Sequence, residues 1–243
     1  TWDQGTLSLW IRPNSLPASE YYPISNYNGV VGEAGGWLVA IGSDGSCSIR
    51  GNASYTDACP AGSFAANTWT HLVFVVDKTN AVRKIYINGV LKATYTSNTY
   101  GFRINSTLRM GMGSWCTTAS DCIYPGILDE VKLYNSALTA AQVKLDYNRG
   151  QSLVLGTLSD NSSYEKQAAN QEYCVPGDTT SCAAPVARWD FEEGSGTAAN
   201  DKSGNANTGT LTAGPTWTRG KYGKAVNFDG TDDYVSVADS SSL

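Results

Sequence analysis

The stretch Lys84-Ile85-Tyr86-Ile87-Asn88-Gly89-Val90-Leu91-Lys92-Ala93-Thr94-Tyr95-Thr96 decides the fold class. Asn88-Gly89 forms a two-residue link in which both positions tolerate positive φ, and apolar and polar residues alternate on either side of it. That combination predicts a tight antiparallel hairpin. The same period of two recurs at Thr6–Ile11, Trp37–Ile41, Thr70–Val76, Thr107–Met112 and Leu128–Tyr134, and after Pro185 at Val186–Phe191, Ala225–Phe228 and Tyr234–Val237. Each is a strand with one buried face. One helix is predicted, over about residues 140–148, where Thr139 caps the first turn, Gln142 reaches back to the cap and Gly150 ends it. Many antiparallel strands with one short peripheral helix imply an all-β chain, a two-sheet antiparallel jelly-roll sandwich.

Composition agrees. The 243 residues carry 25 Gly and only 16% charged residues, favouring short strands and turns over long helices, while 41% hydrophobic residues supply a sizeable core. Seventeen Lys and Arg against 22 Asp and Glu give a net charge of -5, with the basic residues scattered. Such a chain does not suit nucleic acid or a basic membrane patch. No apolar run approaches the ~20 residues that span a bilayer, and Thr1-Trp2-Asp3 resembles neither an initiator nor a signal peptide, so a processed chain or an excerpt is expected.

Six cysteines fall close in sequence as Cys47 and Cys59, Cys116 and Cys122, Cys174 and Cys182. Proximity alone, among 15 possible pairings, suggests three local disulfides. None has zinc or redox spacing, and disulfides place the protein outside the cytoplasm, extracellular or at the cell surface. Residues 151–185 read as a linker or extended arm, within which Leu153-Val154-Leu155 is either an added strand or an incidental apolar patch on a loop. The sequons at Asn52, Asn105 and Asn161 permit glycosylation where the source has the machinery.

Four segments, Gly5–Pro13, Trp69–Val73, Lys84–Gly89 and Gly126–Asn135, resemble in order the laminin G-like jelly rolls of the concanavalin A-like lectin and glucanase superfamily. Trp189–Gly196, Asp201–Asn205 and Gly223–Gly230 with Tyr234-Val235 are similar to the beginning of such a domain, yet they lie at the C-terminal end. Residues 1–150 thus correspond to the later portion of a jelly roll and 186–243 to its first portion, together roughly 210 residues, a normal size for one sandwich. Neither piece closes by itself, because a few strands alone leave open edges and a one-sided apolar sheet. Two arrangements fit. Residues 186–243 complete the next copy, giving a head-to-tail tandem array or filament of copies of the same chain, or they fold back onto residues 1–150 as a circular permutant. The first is the preferred expectation, since a repeat that does not close makes an open assembly.

Three chemistries are to be weighed. Hydrolysis requires paired carboxyl groups on one face; strict alternation sends Asp129 and Glu130 to opposite faces, Glu192 and Glu193 likewise, and Asp232-Asp233 fall at a turn. His71 lacks a nucleophile signature and reads as a satisfied structural histidine, so no enzyme is expected. Calcium is suggested by Asp201, Ser203, Asn205 and Asn207, oxygen-bearing at every second residue, although the spacing is not that of an EF-hand. The resemblance adds Asp129 as a ligand for a structural Ca2+; the alternative is an Asx-rich turn that holds itself. Carbohydrate binding is implied by the fold, with Trp115 and Tyr55 the most attractive exposed aromatics for stacking on sugar rings, or else packed at the rim. The leading expectation is an extracellular structural or adhesive module stabilised by calcium and disulfides; the alternative is a lectin-like, glycan-binding module.

Overall fold

A computed structural model describes residues 3–27, 36–51, 55–96, 107–114, 123–148 and 184–243. The chain runs through β1 (Gln4–Pro13), β2 (Glu20–Ser25), β3 (Trp37–Gly42), β4 (Cys47–Gly51), β5 (Tyr55–Cys59), β6 (Thr70–Asp77), β7 (Val82–Ile87), β8 (Val90–Thr96), β9 (Leu108–Met110) and β10 (Gly126–Tyr134) to helix α1 (Ala140–Tyr147). It resumes with β11 (Ala187–Trp189), β12 (Ala198–Ala199), β13 (Gly209–Thr212), β14 (Thr216–Arg219), β15 (Lys224–Phe228) and β16 (Tyr234–Val237). Two eight-stranded antiparallel sheets result. The first runs β14-β15-β10-β1-β6-β7-β8 with β11 also on β10, and the second runs β12-β13-β16-β9-β2-β3-β4-β5. The expected sandwich with one helix is what the sequence forms.

The expected hairpin is β7–β8, and its turn has Asn88 and Gly89 at φ 51° and 75°. The Asn88 side chain accepts from the His71 amide, which ties the turn to β6. Helix α1 starts in the capping box read from Thr139 and Gln142, both reciprocal bonds being present. Strands β2, β4, β5, β12, β13 and β14 were not legible from alternation. β2 contains Pro23, and its pairing with β3 slips between Tyr21 and Ile24 to accommodate it.

The C-terminal piece completes the sandwich within its own chain. β15 pairs with β10 from Gly126↔Phe228 to Leu128↔Val226, β11 pairs with β10 from Val131↔Trp189, and β16 pairs with β9 from Val235↔Met110. The structure therefore carries the second of the two arrangements, with residues 186–243 folded back. Its reason is visible in the core: Trp189, Phe191, Phe228, Val235 and Val237 share one buried cluster with Leu7, Leu9, Ile11 and Phe74. Removing them would strip a sheet face of its cover.

Aromatic side chains close both open sides of the sandwich. On one side the Tyr95 hydroxyl accepts from the Ala58 amide and reaches its carbonyl, each at 2.9 Å, so the edge of β5 is capped from β8. Below it Arg83 of β7 and Asp57 of β5 form a buried ion pair between the sheets. On the other side Trp217 of β14 donates through Nε1 to the Gly196 carbonyl at 2.9 Å. The disulfide Cys47–Cys59 bridges β4 and β5. The expected pairs Cys116 with Cys122 and Cys174 with Cys182, Trp115, the three sequons, Leu153–Leu155 and almost all of the 151–185 arm lie outside the described residues.

Candidate functional site

The outer face of the first sheet departs from simple alternation. Along β10 the core receives Leu128, Val131 and Leu133, so two residues, Asp129 and Glu130, stand between core positions. The pairing with β1 shifts between Ser8 and Trp10, and Glu130 sits at φ 50°, the left-handed conformation of a bulge. Asp129 and Glu130 therefore both lie off the core side, contrary to the expectation of opposite faces. Both are buried: the β14–β15 turn covers Asp129, whose Oδ2 accepts from the Tyr222 amide at 3.0 Å, and Glu130 lies 3.4 Å from Lys132 Nζ. Burial, with the neighbouring Glu130 charge adding to it, pushes the Asp129 carboxyl up to about 7 against the pull of the Tyr222 amide.

Next to this bulge, helix α1 is seated by polar groups. Ser8 Oγ lies 2.9 Å from His71 Nε2 and donates to Asp146, whose other oxygen accepts from Lys132 Nζ at 2.7 Å. Burial disfavours the Asp146 charge, but Lys132 and the His71 contact outweigh it and hold the carboxyl well below its ordinary value. The serine, histidine and aspartate do not form a catalytic relay: the carboxylate approaches Nε2, the same nitrogen that meets the serine, and His71 is 1% exposed. His71 is buried beneath the end of α1, between Ser8 and Asp146.

The 201–207 loop gathers its side chains onto the chain itself. Asp201 accepts four hydrogen bonds, from the amides of Arg188, Ser203 and Asn207 and from Ser203 Oγ. Asn205 and Asn207 both turn their Nδ2 groups to the Val186 carbonyl, at 2.9 and 3.1 Å, and Asn207 Oδ1 accepts from Ser240 and Ser242. These bonds fasten the start of β11, the 201–207 loop and Ser240 and Ser242 together. Asp129 is not among the partners of Asp201. A second acidic group, Asp229, Asp232 and Asp233, brings carboxylate oxygens within 4.8 Å of one another at the turn before β16. Asp233 Oδ2 accepts from the Asp229 amide at 3.0 Å, and burial followed by the two neighbouring charges raises its carboxyl.

The outer face of the second sheet is different in kind. Register places Ser236, Arg109, Ser25, Leu38 and Arg50 in one row across β16, β9, β2, β3 and β4, while their strand neighbours Val235, Met110, Ile24, Val39 and Ile49 fill the core. The Arg109 guanidinium lies 4.7 Å over the Tyr234 ring, and Tyr234 and Tyr22 pack on Met112. Ser25 Oγ meets Ser114 Oγ at 2.8 Å, which brings the residue directly before Trp115 onto this face. Glu20 is held by Arg50 and by the Tyr22 hydroxyl at 2.8 Å; burial opposes its charge, and these two partners lower its carboxyl nonetheless. Tyr55 pairs with Gly51 at the far strand of the same sheet. Half-buried tyrosines, a stacked guanidinium and hydroxyls form a surface that can stack on and hydrogen-bond to a polyol. The Arg109–Tyr234 contact joins distant segments, and neither residue stood out in sequence.

Residues 2–144 match the Laminin_G_3 family, described as the concanavalin A-like lectin/glucanases superfamily. None of the curated proteins matches the sequence. Among solved structures, a candidate carbohydrate binding protein from Bacteroides ovatus ATCC 8483 aligns at TM-score 0.58 and 16% identity over 85% of this chain. The chain spans about half of that protein, 51% of its length. The CBM40 of the Ruminococcus gnavus IT-sialidase, solved with α2,3 sialyllactose, aligns at TM-score 0.50 and 18% identity, covering 60% of this chain and 84% of that one. At these identities the likeness is one of fold. With well over half of its length inside the family match and both sheets in place, the chain belongs to the laminin G-like family of the concanavalin A-like lectin and glucanase superfamily.

Proposed function

We propose that the chain is a non-catalytic carbohydrate-binding module of a secreted or cell-surface protein, and that it takes glycans on the outer face of its second sheet. The observation that carries this reading is the row across β16, β9 and β2, where Arg109 stacks on Tyr234 and Tyr22 and Tyr234 share a seat on Met112. Family membership and carbohydrate-binding neighbours of the same fold support it. The disulfide Cys47–Cys59 supports an oxidising, extracellular setting. Trp115 and Tyr55, the aromatics singled out in the sequence, are proposed as further residues for stacking on sugar rings. The burial of Asp129, Glu130 and His71 supports a binding rather than a hydrolytic role. The test is a glycan array followed by calorimetry on the best ligand. Tyr234→Ala and Arg109→Ala are expected to weaken binding at least about fivefold with Tm preserved, since loss of one stacking group removes on the order of 1 kcal/mol or more. A chain that binds no glycan, or binds one equally well in both variants, refutes the reading.

Structural calcium remains part of the proposal at one residue. Asp129 Oδ1 is buried with no hydrogen-bond partner among the described residues, which fits a hard cation, whereas the carboxylate of Asp201 is already saturated by the chain. A second reading, head-to-tail assembly of copies with an adhesive role, is favoured by one observation: residues 186–243 join the rest of the sandwich through discrete pairings of β11, β15 and β16, which a neighbouring copy could supply in the same register. Light scattering after size exclusion decides it, a concentration-independent monomer overturning the assembly.

A further inference from the structure

We propose that the outer face of the first sheet carries an aromatic cage for a quaternary ammonium group, occupied in this structure by the chain's own Lys221. The cage is built on Trp10, which points outward from β1 between the core residues Leu9 and Ile11. Its cross-strand partners are His71 on β6 and Asp129 on β10. The last residue of α1, Tyr147, stacks on the indole at 5.5 Å and 24°, while His71 leans on it at 5.0 Å and 42°. The β14–β15 turn adds Tyr222 as a perpendicular wall at 5.9 Å and 88°. Into the angle between Trp10 and Tyr222 reaches the Lys221 ammonium, 4.5 Å from the first ring centroid and 5.9 Å from the second.

Two features make this a site with a plug rather than a fixed staple. Lys221 is exposed along a turn, so its side chain can leave without disturbing a packed group, whereas Trp10 beneath is 3% exposed. A primary ammonium also keeps three N–H groups that prefer water, which makes it a poor permanent tenant of an aromatic surface. A tetraalkyl ammonium has no N–H to leave unsatisfied and presents apolar methyl groups to the rings, so desolvating it costs less. The charge around the cage is suitable: Asp129 lies under the turn and Asp146 behind His71, with Lys132 engaged by Asp146 and Glu130. The site lies on the opposite sheet from the glycan face and stands or falls independently of it.

The test is calorimetric titration of the full chain with tetramethylammonium chloride against a sodium chloride control, with the Trp10 indole Nε1–H followed by NMR. The wild type is expected to bind weakly and saturably with a shift at Trp10. Lys221→Gln, which removes the competing charge and shortens the side chain by one atom, should bind roughly fivefold more tightly. Tyr222→Leu should bind at least about fivefold more weakly. Choline and free Nε-trimethyl-lysine, compared in parallel, distinguish a small-molecule from a peptide source of the group. Absence of saturable binding in folded Lys221→Gln overturns the proposal, as does equal affinity in Tyr222→Leu.

Discussion

The outer faces of the two sheets are used in opposite ways. On the first sheet the face is closed: Val73, Val75, Tyr86, Tyr134, Leu138 and Val143 form an apolar cluster under α1, and Ser8, His71, Asp146 and Lys132 lock the helix end beside it. On the second sheet no helix among the described residues lies over the row of Ser236, Arg109, Ser25 and Arg50, and its tyrosines are only partly buried. The lesson is that one sheet spends most of its outer face on seating the helix, with the proposed Trp10 cage beside it, while the other leaves its outer face open for the proposed glycan binding. Stability and recognition should therefore separate cleanly under mutation.

The sharpest break of that contrast is Asp146→Ala. It leaves the buried Lys132 ammonium without its closest partner and should cost about 3 to 5 kcal/mol in chemical denaturation. Loss below about 1 kcal/mol would mean that the helix seat carries little of the fold. The wild-type carboxylate contributes its stability above the ordinary carboxylate value of 3.8, and that contribution declines as pH falls below it toward the depressed folded value. Asp129 has the reverse sign. Its folded value of about 7 lies above the ordinary 3.8, so ionisation progressively destabilises the fold as pH rises from about 4 to about 7. In chelated buffer Asp129→Asn should gain on the wild type by on the order of 2 kcal/mol between pH 5 and pH 8. If calcium instead binds at Asp129, adding it at pH 8 raises the wild-type Tm and leaves the variant unmoved. On the helix side, Val143→Ala should cost about 2 kcal/mol through its cavity. The smallest effect on stability, below about 1 kcal/mol, is expected for Arg109→Ala on the recognition face.

Much of the fold was legible because local chemistry dictated it. Asn88-Gly89 could only turn one way, and Thr139 with Gln142 capped the helix as spaced. The dependence of the two pieces on each other was legible too, since neither could bury its own sheet, and residues 186–243 do pair with the earlier strands. What escaped was set by contacts distant in sequence. Glu130 adopts a bulge that no period of two anticipates, and so two carboxylates assigned to opposite faces stand together. For Asp201, Ser203, Asn205 and Asn207 the sequence showed the spacing but not the partners that come from beside β11, the Val186 carbonyl and the Arg188 amide. The platform of Arg109 and Tyr234 forms only when β16 comes to lie beside β9.

The strand order has a consequence for synthesis. β9 and β10 leave the ribosome long before β11, β15 and β16, the strands that cover their exposed edges, and the intervening arm must be translated first. At about 5 to 20 residues per second, that delay lasts several seconds to tens of seconds. A nascent chain in that interval displays two unprotected sheet edges and an incomplete core. Holdase chaperones, which bind such surfaces, should therefore govern the yield of this protein more than its final thermodynamic stability does.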